Sequence, residues 1–152
     1  MRLVEHAALG FALQVPDAWQ TTELPEGLVA GSEEMPDDLS LPPGFAVSLA
    51  GFGDGDHDAA SLSEQGLLEE TRWLTDLRLL DSEDTELASG LPARRTLATY
   101  RQGVSSLTLE QWHAVHRGRA LVISATGPTQ DYAALHDVWH AMAASLRLGD
   151  EG

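Results

Sequence analysis

The chain has 152 residues and no cysteine, and its 24 acidic side chains face only nine basic ones, all arginine, for a formal net charge of −15. That balance tells against binding to nucleic-acid backbones or anionic membrane surfaces, which need cationic side chains, and the missing thiols exclude disulfides, a thiol nucleophile and thiolate metal sites. The length suits one domain that buries roughly two thirds of its unfolded surface, expected over residues 1–148 with 149–152 as a short flexible tail.

Two short strands open the chain, residues 2–6 and 10–15, joined by a tight link in which Gly10 is the hairpin residue. Phe11, Leu13 and Val15 alternate cleanly, Pro16 ends the strand, and Asp17 and Ala18 deliver Trp19 as a lid over one end of a sheet. Residues 24–43 mix acids, glycines and prolines and read as a surface excursion with one short strand at 28–31. A strand then runs over 45–53, with Phe45, Val47 and Leu49 on one face. The acid-rich "DGDHDAA" after it resembles a calcium loop only superficially, because an EF-hand spreads its ligands over about twelve positions and closes with a bidentate Glu; here Ala59, Ala60 and Leu62 fill the second half.

Ser61 and Glu64 have capping-box spacing, which predicts a helix over 62–76 with Leu67, Trp73, Leu74 and Leu77 inward and Leu68 off the stripe. A strand follows over 78–87. Three runs rich in Leu, Val, Thr and Ile, separated by Gln102-Gly103 and Arg117-Gly118, then predict an antiparallel meander. Thr129 is placed to cap a final helix over 130–146, whose apolar face is Tyr132, Leu135, Trp139, Met142, Ala143 and Leu146. The expected class is α+β, a central antiparallel sheet flanked by helices.

No motif specifies a chemistry. His136 and His140 are spaced for one helix face, but Asp137 stands where a zinc-peptidase HExxH would carry Glu. His113 and His116, three apart in a strand, point to opposite sides. There is no GxSxG elbow and no GxGxxG turn, so neither a metal nor a cofactor is expected. Charge is divided unevenly: residues 1–90 hold 19 acids and three arginines, net −16, whereas residues 91–152 hold five acids and six arginines, net +1. The opening "MRLVEHAALGF" lacks the apolar run of a secretory signal and no stretch is long enough to span a membrane, so a cytoplasmic location is expected.

Element order and short motifs resemble the Mog1/PsbP-like superfamily, nearest to small bacterial DcrB-like and LpqN-like proteins. Gly10, Phe11, Pro16 and Trp19 match its Gly-Phe strand and Pro-x-x-Trp turn, and Gly90 to Ala93 match the Gly-Leu-Pro-Ala segment before its meander. The resemblance implies an α/β/α sandwich and a non-enzymatic protein-binding module, an adaptor or chaperone for a secreted protein, and the acidic charge permits a basic protein partner. The partner-binding residues expected here are the loop acids Glu33, Glu34, Asp37, Asp38, Asp54, Asp56 and Asp58, flanking the Phe45 strand. The alternative is a small hydrolase or other enzyme using His113 or His116 with nearby carboxylates.

Overall fold

A computed structural model describes residues 1–32, 44–51, 58–87 and 90–149. In chain order the elements are β1 (Arg2–His6), β2 (Phe11–Val15), β3 (Gln20–Leu24), β4 (Gly27–Gly31), β5 (Gly44–Gly51), α1 (Ala59–Thr71), β6 (Thr75–Glu86), β7 (Pro92–Gln102), β8 (Ser105–His116), β9 (Arg119–Pro128), α2 (Tyr132–Ser145) and β10 (Arg147–Leu148). They form a seven-stranded sheet in the order β3-β4-β5-β9-β8-β7-β6 and a three-stranded sheet β1-β2-β10. All pairings are antiparallel.

The meander forms where alternation and turn chemistry predict it. The two-residue link between β8 and β9 has positive φ at both Arg117 (50°) and Gly118 (75°), the backbone that a type I′ hairpin requires. Opposed residues share a face, so the register Phe45↔Ala125, Val47↔Ile123 and Leu49↔Leu121 sets an unbroken apolar surface across β5 and β9. Helix α2 lies on that surface with Trp139, Met142 and Ala143 buried, and Leu146 follows as its C-cap, also buried. The three-stranded sheet joins the same core through Phe11, Leu13 and Val15, while Ala133, Ala134, Asp137, Ala141 and Ala144 leave one side of α2 exposed. His6 ties the two sheets together: its Nδ1 accepts from Leu9 N–H at 3.2 Å, leaving Nε2–H to donate to Leu24 O at 2.7 Å.

Several expectations need correction. The capping box sits three residues earlier than predicted. Asp58 Oδ1 accepts from Ser61 N–H at 2.8 Å while Ser61 Oγ accepts from Asp58 N–H at 3.0 Å, so the helix-forming pair Ala59-Ala60 is drawn into the first turn of α1. At its other end α1 stops at Thr71, and β6 follows from Thr75, with Asp76 at φ 53° inside its first register shift. Trp73 therefore leaves the predicted stripe and stands 58% exposed. Thr129 does not cap α2. It starts a single 3-10 turn, and its Oγ1 hydrogen-bonds Ser106 Oγ at 2.8 Å and Thr108 Oγ1 at 3.0 Å instead. Strands β3 and β10 were not expected; β10 pairs with β2, and beyond it Gly149 N–H donates to Gly10 O at 2.6 Å.

Candidate functional site

The sheet ends at β6, which is an edge strand among the described residues. Of its twelve residues only Leu77 and Thr85 are half-buried; the rest are exposed on both faces. Its register against β7 shifts twice, between Thr75 and Arg78 and between Leu79 and Asp81, irregularities of the kind that keep a sheet edge from recruiting another strand. The described residues hold seven exposed large apolar side chains, and five of them lie on β6 or on segments beside it in the fold: Leu68 on α1, Trp73 between α1 and β6, Leu79 and Leu80 on β6, and Val104 at the β7–β8 turn. Exposed carboxylates stand among them, at Asp76, Asp81, Glu83, Asp84 and Glu86.

The arginines of β7 hold this acidic strand in place. Arg94 Nε donates to Asp84 Oδ1 at 2.8 Å. Arg95 Nη1 reaches Asp81 Oδ2 at 3.2 Å and Glu83 Oε1 at 3.3 Å, while its Nε donates to Glu110 Oε2 at 2.5 Å. Glu110 is fully buried and serves two more donors, His140 Nε2–H at 2.8 Å and Tyr132 O–H at 3.4 Å. Burial works against the Arg95 cation, but the charge and hydrogen bond of Glu110 outweigh it and hold the guanidinium above its ordinary range. The rings of His136 and His140 stack with centroids 4.0 Å apart beside this network. Among the described residues no group of three or more His or carboxylate side chains is arranged to hold a metal.

Of the acids expected to meet a partner, Glu33, Glu34, Asp37, Asp38, Asp54 and Asp56 lie outside the described residues. Asp58 is described, exposed, and engaged as the α1 cap, whose backbone hydrogen bond from Ser61 holds its carboxyl below the usual range. His113 and His116 do not come together. His113 is buried beneath α1 with Nδ1 unpartnered, and its Nε2 would lie 3.0 Å from a Cβ added at Gly66. Burial pushes its pKa down to about 4. His116 Nε2 is also buried without a partner, and among the described residues neither ring hydrogen-bonds a hydroxyl or carboxylate. Sequence reasoning missed the β6 edge because strand order is a property of distant pairings, although the acids and leucines of "LRLLDSEDTE" were in plain view.

No family model and no curated protein sequence matches this chain. Solved structures do match it over nearly its whole length. CyanoP, the cyanobacterial PsbP from Synechocystis, has a TM-score of 0.65 at 10% identity, covering 97% of this chain and 91% of its own. PA94 from Pseudomonas aeruginosa, a protein of unknown function, has a TM-score of 0.59 at 19% identity, covering 95% and 94%. LpqN of Mycobacterium tuberculosis, described as involved in cell envelope biogenesis, has a TM-score of 0.58 at 21% identity, covering 97% and 90%. An antiparallel sheet between α1 and α2, shared across these matches, gives the chain the PsbP/Mog1-like fold.

Proposed function

We propose that this chain is a non-catalytic protein-binding module, an adaptor or chaperone-like domain whose partner is a basic protein segment carrying apolar side chains. The observation that supports this reading is the β6 edge, where five exposed apolar side chains are interleaved with exposed carboxylates. Apolar anchors supply most of the affinity of a protein contact, while surrounding charge selects the partner and speeds encounter. The two register shifts in β6 favour recognition through side chains rather than addition of a strand. Glu33, Glu34, Asp37, Asp38, Asp54, Asp56 and Asp58 add to the negative charge that draws a basic partner in this reading, and the encounter takes place in the cytoplasm. No arrangement among the described residues favours the enzyme alternative built on His113 or His116.

The test is capture of partners from native extract at low salt and at ~0.5 M salt, with the double variant Trp73→Ser/Leu80→Ser and the four-site variant Asp37→Asn/Asp38→Asn/Asp54→Asn/Asp56→Asn. A basic partner should be retained at low salt, lose at least about tenfold in affinity with the first variant, and associate more slowly with the second. Both variants should keep the thermal midpoint of the parent. A partner indifferent to both variants refutes the proposal.

A further inference from the structure

Two arginines beside the β6 edge escape the pairing that holds Arg94 and Arg95. Among the described residues the guanidinium groups of Arg78 and Arg101 have neither a hydrogen-bond nor an ion-pair partner, although the chain carries 24 acidic side chains. Both are exposed, and both line a cavity of about 290 Å³ near the start of β6, together with Thr99, Ser106 and the exposed Val104; Asp76 is the one carboxylate in the lining. Strand pairing puts them on one face of the sheet. Arg78 stands opposite Thr99, and Thr99 and Arg101 are two residues apart on β7. A neighbouring cleft of about 380 Å³ shares Tyr100 and Arg101 and adds the exposed Trp73 and the half-buried Leu74.

Along the same face the charge reverses. Asp81 stands opposite Leu97 and Glu83 opposite Arg95, so both acids share the face of Arg78. There Asp81, Glu83 and Glu110 meet the single guanidinium of Arg95, and the cluster stays negative even when His140, on Glu110, carries a proton. Five residues of strand, at most about 17 Å, therefore separate a basic end from an acidic stretch. A free small anion would reach the basic end only against the field of a chain with net charge −15. A basic protein segment brings its own positive charge, and the negative group it always has available is its terminal carboxylate, which guanidinium groups bind through charge-assisted hydrogen bonds.

We propose, resting on the reading of the β6 edge as a protein-binding surface, that the partner is held by its C-terminus. Its terminal carboxylate lies between Arg78 and Arg101, its apolar last side chain enters the cleft beside Trp73 and Leu74, and basic residues three to five positions upstream lie along Asp81 and Glu83.

The experiment titrates two peptides into the full chain: acetyl-Lys-Arg-Lys-Ala-Ala-Leu with a free C-terminal carboxylate, and the same sequence closed as an amide. The acid should bind about tenfold more tightly than the amide, against the overall field, which favours the more cationic amide. Arg78→Gln/Arg101→Gln should keep the parent's thermal midpoint, leave the affinity for the amide no weaker, and abolish the preference for the acid. Equal affinities, tighter binding of the amide, or a preference that survives in the double arginine variant overturns the terminal-carboxylate site while the peptides' binding leaves the β6 reading standing. Binding of neither peptide also overturns the site, and the β6 reading is then decided separately by partner capture with Trp73→Ser/Leu80→Ser. Displacement of the acid peptide by inorganic phosphate at constant ionic strength, with the amide unaffected, would assign the arginines to a free anion and overturn the proposal too.

Discussion

The two faces of the seven-stranded sheet are covered by helices of nearly equal length, thirteen residues in α1 and fourteen in α2, but they are held by different physics. Under α2 the sheet presents Phe45, Val47, Leu49, Leu121 and Ile123, all with at most 1% exposure. Under α1 it presents Gln111, His113, Ser124 and Tyr100 beside the apolar Ala98 and Leu109, and the side chains that α1 fully buries are Ser63 and Glu70. Burial pushes the Glu70 carboxyl up, with Gln111 pulling the other way, and burial together with the Glu70 charge raises Tyr100. One helix is thus fixed by removal of apolar surface from water, while the other lies over a mixed face, part of which must stay neutral or find partners.

The sharpest way to break the contrast is Trp139→Ala. A fully buried aromatic in the α2 interface should cost about 3–5 kcal/mol, read as a drop in the thermal and urea midpoints; an unchanged midpoint would mean that α2 is not the principal cover.

A second test exploits the polar face. His113 has a folded pKa of about 4 against an ordinary 6.5, so the unfolded chain takes up this proton first. The stability gained by keeping it neutral is complete above pH 6.5 and drains as pH falls from 6.5 towards 4, a loss of about 2 kcal/mol between pH 7 and pH 5. Glu70 has the opposite sign: its folded pKa is raised, so its share is present below its ordinary 4.5 and declines as pH rises through the folded value. Urea unfolding of the parent and of His113→Gln at both pH values isolates the histidine. The parent should lose more stability at pH 5 than the variant does, and equal losses would show that His113 titrates normally.

The smallest of these effects belongs to the α1 cap. Asp58→Ala should cost about 1 kcal/mol, because Ser61 N–H loses its acceptor, and Asp58→Ser should restore most of it. If Asp58→Ala is silent, α1 draws its stability from elsewhere.

The same contrast explains what could be read from the chain. The meander and α2 were legible because alternation, glycine-bearing turns and a 3.6-residue apolar stripe are local signals that agree with burial. Helix α1 was legible as a helix, but its limits were not: its inward side is polar, so a search for leucines extended it to Trp73 and Leu77. Strand β3, "QTTEL", carries no apolar alternation and is made a strand by pairing with β4. At the candidate site, the imbalance of charge was visible but its resolution was not. Arg94 and Arg95 meet Asp84, Asp81 and Glu83 only through the β6–β7 register, and Glu110 meets His140 across thirty residues of chain.

Strand β2 also has a consequence for the order of events in folding. Its inward side chains Phe11, Leu13 and Val15 are synthesised long before α2 and its C-cap, which belong to the same core cluster, and its N–H at Gln14 bonds Ser145 Oγ across 131 residues. At roughly 5–20 residues per second of synthesis, the opening hairpin waits on the order of ten seconds for its cover. Until α2 follows, the nascent chain displays an adhesive apolar strip, and the arrival of that helix is the step that withdraws it.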